Sequence, residues 1–290
     1  MVNDLIKKFL DENRNKKPLI TLLGPTASGK TALSLKIARE FGCEIISADS
    51  RQVYRFMDIG TDKIPMGKRE GIPHHLIDVA NPDERFTVSD FKKLAEEKIE
   101  EILKRGKIPL VCGGTGLYIR ALTENFQIPE TGEDLGFRKS LEEEAQEKTA
   151  SFLHEKLRSV DPLSAQKIHP KNRRYILRAL EIFFLTGKPK SDLRAEPKYR
   201  VLKLGLNPSP ETLNSRIHRR VEKQFGRGLV EEVKRLLERG YHEKLPALET
   251  LGYRELIPAL RGEIPFEKAR EYIELHTRQF ARRQMIWFRK

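Results

Sequence analysis

Residues 24–31, with the sequence GPTASGKT, match the phosphate-binding loop pattern G-x-x-x-x-G-K-[ST] at every fixed position. In such a loop the glycines allow backbone N–H groups to point inward at phosphate oxygens. Lys30 adds a positive charge, and Thr31 offers a hydroxyl group to Mg²⁺. The spacing therefore predicts a site for a phosphate-bearing ligand, with Thr31 as the candidate metal ligand.

The residues on either side of this loop predict the elements that must hold it. Residues 19–23 form a short apolar run of strand length. After the loop, the apolar spacing predicts a helix over residues 31–41, and Gly42 is a typical helix stop. A helix that begins at the loop points its positive end toward a bound anion. Strand, loop and helix together are the setting that this motif requires.

Asp49 follows a second strand-like run at residues 44–48. Because ligands of an open parallel sheet bind beyond the carboxyl ends of its strands, we expect Asp49 in the same crevice as Lys30 and Thr31. A carboxylate there can bind Mg²⁺ through water or accept a proton from a nucleophile. The alternative is a structural aspartate that caps a helix or closes a turn.

Thr115 lies in a Gly-Gly-Thr-Gly segment that follows another apolar run, at residues 108–112. The same argument places Thr115 at the ligand-binding edge of the sheet, and the glycines permit close approach of a ligand. The segment is also compatible with a plain turn.

Two groups of arginines suit anionic ligands. Arg216 and Arg220 are four residues apart in a predicted helix that also carries Arg219, so they share a face, which suits the charge of a diphosphate. The alternative is a solvated basic face. In the last predicted helix, a second group could contact RNA phosphates: Arg278, Arg282, Arg283 and Arg289. We interpret the apolar residues interleaved with them as core, with stacking of the aromatic rings on RNA bases as the alternative: Phe280, Ile286, Trp287 and Phe288.

The 290 residues include 55 Lys and Arg against 42 Asp and Glu, a formal net charge of +13. This excess favours a nucleic-acid partner, because counterion release strengthens such binding, although a basic protein without one is the alternative. Two cysteines cannot form a zinc site, and they suit a reducing cytoplasm. His74 and His75 lack further ligands at metal-binding spacing, so we expect them to pack or hydrogen bond. No apolar run is long enough to predict a membrane span.

Alternating strand and helix patterns predict an α/β fold: a parallel sheet of the phosphate-loop type, flanked by helices. Further strands are expected at residues 76–79 and 199–206, and Ser89 is expected to cap a helix. Residues 126–198 show only helical patterns, over residues 138–148, from residue 161, and over residues 171–186. The predicted organisation is an N-terminal extension with a short packed helix (1–17), an α/β core with a helical tail (18–125 and 199–290), and an inserted all-helical module (126–198).

Seven segments in order resemble those of the bacterial-type tRNA dimethylallyltransferase family: GPTASGKT at 24, DSRQVYRFMDIGTDK at 49, PHHLIDV at 73, GGTGLYIRAL at 113, RALEIFFLTGKP at 178, LGYREL at 251 and TRQFARRQMIWFRK at 277. The resemblance implies transfer of a dimethylallyl group from dimethylallyl diphosphate to the N6 amine of the adenine 3′ to the anticodon, in tRNAs reading UNN codons. It also implies Mg²⁺ as cofactor and the anticodon stem-loop as the bound part of tRNA. A monomer is adequate for one tRNA. The alternative for the same loop is a small-molecule or nucleoside kinase.

The resemblance also implies roles for particular residues. Asp49 is the expected general base, Thr31 helps to bind Mg²⁺, and Arg220 is the favoured arginine for the diphosphate. The remaining diphosphate-binding residues are Gly24, Pro25, Thr26, Ala27, Ser28, Gly29, Lys30 and Arg216. The implied tRNA-contacting residues are Asp49, Ser50, Arg51, Gln52, Thr115, Arg174, Arg178, Gly252, Tyr253, Arg254, Arg278, Arg282 and Arg283. Tyr175 departs from the pattern, because relatives often carry a basic residue there.

Overall fold

The computed structural model describes residues 2–128, 135–146, 151–193 and 195–289. Five parallel strands form one sheet in the spatial order β3-β2-β4-β1-β5. The strands are β1 (Pro18–Leu23), β2 (Cys43–Ser47), β3 (His74–His75), β4 (Ile108–Gly113) and β5 (Arg200–Gly205). The parallel sheet predicted from the alternating pattern is confirmed.

Helices cover both faces of this sheet because β1, one of its interior strands, is apolar on both sides. In β1, Ile20 and Leu22 pack toward one face, and Leu19 packs toward the other. The first face is covered by α1 (Val2–Asn13) and α2 (Lys30–Phe41), and the second by α3 (Val88–Lys104) and α4 (Gly116–Thr123). The N-terminal helix predicted by the sequence is α1, which is anchored by the fully buried Ile6.

The contacts divide the chain into two compact units, one of residues 1–123 and 198–290 and one of residues 124–197. The second unit contains α5 (Leu135–Gln146), α6 (Phe152–Val160), α7 (Pro162–Lys167) and α8 (Arg173–Thr186). They pack around apolar residues such as Leu157 and Ile176. The sequence did not predict α6, and the role of this unit in binding tRNA stays a prediction.

The first unit ends in four helices with a core of their own: α9 (Pro210–Gly226), α10 (Leu229–Glu238), α11 (Tyr253–Leu260) and α12 (Phe266–Phe288). Ile217 of α9 and Leu256 of α11 are fully buried there, together with Met57 from the segment after β2. This packing fixes the helix that carries Arg216 and Arg220 against the segment that follows Asp49. None of the described helices is both long and apolar enough to cross a bilayer.

The structure corrects two of the predicted elements. The strand expected at residues 76–79 is wrong: β3 is His74–His75, and Leu76 and Asp78 have φ values of 61° and 59°, which no β strand allows. The helix α3 is capped by Thr87 rather than Ser89, since Thr87 and Asp90 form a reciprocal capping box. His74 and His75 hydrogen bond as expected, to the Ile72 carbonyl and to Glu44.

Candidate active site

The phosphate-binding loop joins β1 to α2, as the sequence predicts, and its backbone conformation depends on two glycines. Gly24 has φ 156° and Gly29 has φ 97°. A Cβ at Gly24 would lie 3.1 Å from both Leu206 and Ser28, so a larger residue would crowd the loop. Because α2 begins at Lys30, its positive end faces the concave side of the loop.

The Lys30 side chain hydrogen bonds to the backbone of this loop. Its Nζ donates to the carbonyl oxygens of Gly24, at 2.9 Å, and Pro25, at 2.7 Å. Burial lowers the pKa of Lys30 from its ordinary value. The Lys30 side chain is therefore held in the loop before any ligand arrives, and a bound anion would favour its charged form.

The arginines of α9 contact the same loop. Arg216 Nη1 donates to the Ser28 carbonyl at 2.7 Å, and Arg220 Nη1 donates to Thr26 Oγ1 at 2.9 Å. The alternative of a fully solvated basic face is therefore wrong for these two residues, although Arg219 is exposed. Two guanidinium groups and a lysine thus surround one turn of backbone, which is an arrangement suited to a diphosphate.

Asp49 lies just beyond the carboxyl end of β2 and has a structural contact as well as an open side. Its Oδ1 accepts hydrogen bonds from the backbone N–H groups of Arg51, at 2.8 Å, and Gln52, at 3.4 Å. The turn predicted as the alternative is therefore real. Asp49 still lines the cleft that contains the phosphate-binding loop, so the turn orients the carboxylate without removing it from the site.

Thr115 joins the ends of β2 and β4. Its N–H donates to the Ala48 carbonyl at 3.1 Å, and its Oγ1 accepts from the Ser50 N–H at 2.9 Å. A Cβ on Gly113 would lie only 2.1 Å from the Ala48 oxygen, so a glycine is required where these loops meet. The structure brings Thr115 to the same edge of the sheet as Asp49, as predicted.

Sequence reasoning missed Gln284 of α12. The Thr26 N–H donates to Gln284 Oε1 at 2.8 Å, and Gln284 Nε2 donates to the Gly114 carbonyl at 2.9 Å. The side chain is 8% exposed, and a Cβ on Gly114 would lie 2.4 Å from Nε2. The nearest sequence signal is Gly114 itself, whose missing side chain makes room for the amide.

These elements surround one open cleft of about 1500 Å³ in the first unit. It brings together most of the predicted site residues, and those that line it are Thr26, Ala27, Ser28, Gly29, Lys30, Thr31, Asp49, Ser50, Arg51, Gln52, Thr115, Arg216, Arg220, Arg254 and Arg283. The cleft therefore combines a phosphate-binding loop, a carboxylate and a positively charged wall. The residues described by the structure include no group of three or more His, Cys, Asp or Glu that could hold a metal ion.

The predicted tRNA-contacting residues of the first unit fall into two groups. Arg282 and Arg283 are exposed, whereas Arg254 and Arg278 are exposed but paired, with Glu255 at 2.7 Å and with Glu274 at 2.8 Å. Arg51, half-buried, reaches the Pro246 carbonyl at 2.6 Å. These side chains remain compatible with contacts to RNA.

The role expected for Tyr253 differs from what the structure shows. It is 0% exposed, its hydroxyl donates to Glu232 Oε1 at 2.6 Å, and its ring packs against Gly60, where a Cβ would lie 2.3 Å away. Gly252 is buried as well, and its N–H donates to Glu255. The prediction that these two residues contact tRNA is wrong in this structure, because both belong to the core of the first unit.

In the second unit, Arg174 is exposed, as a phosphate contact requires. Arg178 is instead half-buried, and its Nη1 lies 2.5 Å from Oε2 of the fully buried Glu181. Its observed contact therefore neutralises a buried carboxylate. Tyr175 is exposed, and Lys190 lies over its ring at 5.8 Å.

The apolar residues of α12 differ in how far they are buried. Trp287 packs against Gly116, where a Cβ would lie 2.2 Å from the ring, and Phe288 packs on the core between α3 and the sheet. Phe280 and Ile286 are exposed, so the core assignment is wrong for them. Arg283 lies over the Phe280 ring at 6.0 Å, at the wall of the cleft.

Comparisons with known proteins identify relatives of this chain. A family model described as IPP transferase matches residues 52–290, and one described as isopentenyl transferase matches residues 18–70. A tRNA dimethylallyltransferase from Pelotomaculum thermopropionicum is 43% identical over 285 residues, covering 97% of this chain and 90% of that protein.

Solved structures give the same result. The tRNA delta(2)-isopentenylpyrophosphate transferase from Staphylococcus epidermidis is 42% identical, with a TM-score of 0.67 over 93% of this chain and 89% of that one. A eukaryotic dimethylallyltransferase acting on tRNA is 33% identical, with a TM-score of 0.77 over 93% of this chain and 69% of that one.

Proposed function

The chain belongs to the IPP transferase family, and we propose that it transfers the dimethylallyl group of dimethylallyl diphosphate to tRNA, releasing diphosphate. The acceptor we propose is the exocyclic N6 amine of the adenine that follows the anticodon on its 3′ side, in tRNAs reading UNN codons. The family matches span residues 18–290 between them, which supports the transferase over the kinase alternative.

The observation that carries the donor part of this proposal is the pair of contacts from α9 to the phosphate-binding loop. Arg216 and Arg220 reach Ser28 and Thr26 at 2.7 and 2.9 Å, on the loop that Lys30 enters from within. As the bond to the allylic carbon breaks, negative charge grows on the departing diphosphate. Hydrogen-bond donors that are fixed at this position stabilise the departing diphosphate more than they stabilise bound dimethylallyl diphosphate.

Asp49 is the group suited to the acceptor. The N6 amine of adenine is a weak nucleophile because its lone pair is delocalised into the ring, and it loses a proton as it attacks. A carboxylate at the edge of the cleft, oriented by the N–H groups of Arg51 and Gln52, can hold the amine and accept that proton. A positioned base typically contributes about 10² to 10⁴ in rate.

The site fits Mg²⁺ bound largely through the donor. Mg²⁺ commonly takes one or two protein ligands together with phosphate oxygens and water. Thr31 is exposed at the first turn of α2 and lines the cleft with Asp49, so its hydroxyl can hold the ion beside the diphosphate. When bound, the ion would neutralise part of the charge of the diphosphate.

The tRNA side of the proposal rests on the basic groups at the cleft. The target base must leave its stack to reach Asp49, at a cost of a few kcal/mol that is smaller in a single-stranded loop. Arg51, Arg254 and Arg283 line the cleft, where they can hold the phosphates of the anticodon stem-loop. The monomeric state and the cytoplasmic location remain predictions.

Incubation of the protein with Mg²⁺, dimethylallyl diphosphate labelled in its prenyl group, and unmodified tRNA reading a UNN codon tests the whole reaction. We expect label in the tRNA, located at the adenine 3′ to the anticodon. The matched control is the same tRNA with guanine at that position, which offers no N6 amine. Turnover of ATP without label in the tRNA would support the kinase alternative instead.

A further inference from the structure

The segment of residues 58–63, which follows Asp49 along the wall of the cleft, is clamped by two buried side chains. Glu232 of α10 accepts the N–H groups of three successive residues, 58 to 60, at 2.9 to 3.1 Å. Gln224 of α9 donates to the carbonyl oxygens of residues 59 and 60, at 3.0 and 2.9 Å. The 58–63 segment is therefore fixed with respect to the helix that carries the arginines.

Two residues of this segment, Gly60 and Lys63, make further buried contacts. Gly60 lies against the buried ring of Tyr253, where a Cβ would meet carbon atoms at 2.3 Å. The buried Nζ of Lys63 donates to the Tyr54 carbonyl at 2.5 Å and to Asp78 at 2.6 Å. Asp62, which directly precedes Lys63, thus lies in a turn that these contacts anchor, with φ 56°.

The carboxylate of Asp62 faces the arginines of α9. Its Oδ2 lies 3.5 Å from Nη1 of Arg220, and its Oδ1 lies 3.5 Å from Nη1 of Arg227. The same Nη1 of Arg220 donates to Thr26 in the phosphate-binding loop at 2.9 Å. Asp62 therefore pairs with Arg220, the arginine that we assign to the diphosphate. The Asp62 side chain is 46% exposed and lines the cleft.

A carboxylate and a phosphate group bind guanidinium through the same N–H donors. An anion that enters the cleft must share Arg220 with Asp62 or displace it. The fixed negative charge also opposes the ligand directly, since Asp62 lines the cleft itself. Both effects weaken the binding of diphosphate.

We propose that Asp62 is an internal competitor for the diphosphate at Arg220, which keeps the affinity for the released diphosphate low and so assists its release. Asp62 acts through Arg220 rather than on the reacting atoms. The proposal rests on the proposed function, because it takes diphosphate as the ligand of Arg220. It adds a residue whose negative charge reduces binding in a site otherwise built to attract an anion.

Calorimetric titration of inorganic diphosphate in the presence of Mg²⁺ tests the proposal on the intact chain. Asp62→Asn keeps the shape of the side chain and removes its charge. We expect this variant to bind diphosphate roughly 3- to 10-fold more tightly than the wild type, as loss of two partly exposed ion pairs allows. Diphosphate should inhibit prenyl transfer at correspondingly lower concentrations.

The matched control is Glu222→Gln. Glu222 lies on the same helix as Arg220, pairs with Arg270 at 3.2 Å and does not line the cleft. The variant gains the same unit of positive charge, so a general electrostatic effect would appear in both proteins. We expect its affinity for diphosphate to stay within about twofold of the wild type. Asp62→Glu keeps the negative charge, so its affinity for diphosphate should stay close to that of the wild type.

The possible outcomes separate the two proposals. If wild type binds diphosphate and Asp62→Asn binds it equally well or more weakly, the role of Asp62 is wrong while the donor site stands. If both charge-removing variants tighten binding equally, a specific role for Asp62 is also excluded. If neither the wild type nor any variant binds diphosphate, the assignment of the donor site is wrong, and the proposed role of Asp62 is wrong as well. Thermal unfolding of each variant shows whether a loss of binding reflects a loss of fold.

Discussion

The backbone N–H of Thr26, in the phosphate-binding loop, donates to Oε1 of Gln284 in the last long helix, at 2.8 Å. The other end of the same amide donates to the Gly114 carbonyl at 2.9 Å. One side chain therefore connects the loop assigned to the donor, the loop after β4 and the helix that carries Arg282 and Arg283. Its position makes Gln284 the strongest test of how these parts depend on one another.

We predict that Gln284→Ala raises the KM for dimethylallyl diphosphate and lowers the free energy of unfolding by about 1 to 3 kcal/mol. The substitution leaves the Thr26 N–H and the Gly114 carbonyl without their partner, and unpaired buried groups cost about that much. Steady-state kinetics and urea unfolding measure the two effects. Gln279→Ala, at an exposed position of the same helix, is the control and should change neither. Wild-type values for Gln284→Ala would show that the loop holds its shape unaided.

We predict that Asp49→Asn lowers kcat by about 10² to 10⁴ while tRNA still binds. An asparagine oxygen can still accept the N–H of Arg51, so the substitution removes the base and keeps the turn. Single-turnover transfer and tRNA binding by filter retention separate the two properties. Asp83→Asn, an exposed substitution with the same change of charge, is expected to behave as wild type. Near-normal turnover by Asp49→Asn would assign the proton transfer to another group.

The sequence predicted the parts of the site that depend on local pattern. The phosphate-binding loop, the helix that ends at Gly42 and the placement of Asp49 and Thr115 at one sheet edge all follow from short segments. Parallel strands place their carboxyl ends together, so spacing along the chain was enough to group these residues.

The parts that were not predicted depend on contacts between distant segments. The two-residue strand β3 exists because His74 and His75 pair with Ile45 and Ile46, while the more apolar residues that follow turn away. Tyr253 is buried because Gly60 leaves room for its ring, almost 200 residues earlier in the chain. No local periodicity carries such information, because burial here is decided by tertiary packing.

We predict that Glu44 stabilises the fold in a pH-dependent way. Burial raises the pKa of this carboxyl group, but hydrogen bonds from His75 and Arg105 outweigh that effect, so the pKa lies below its ordinary value of 4.5. A carboxyl group with a lowered pKa stabilises the folded state above its unfolded pKa, and the stabilisation is lost as the pH falls through the folded value.

Urea unfolding of wild type and Glu44→Gln between pH 3 and pH 7 measures this effect. At pH 7 we expect the variant to be less stable by about 2 kcal/mol, the usual size for hydrogen bonds to a charged group. The difference should shrink as the pH falls below about 4.5. Glu12→Gln, at an exposed position of α1, is the control. A difference that is constant across this range would mean that Glu44 contributes through its shape and not its charge.

We predict that Arg282→Ala combined with Arg283→Ala weakens tRNA binding more at low salt than at high salt. Both side chains are exposed on α12, and Arg283 lines the cleft beside Phe280. If each contacts a phosphate, removal of both should reduce the slope of log K against log salt concentration by about 1.5. The control is Lys8→Ala combined with Arg14→Ala, which removes the same charge from exposed positions in and just after α1. An equal change of slope in both double variants would indicate a general effect of net charge, whereas an unchanged slope in the α12 variant would exclude phosphate contacts by these arginines.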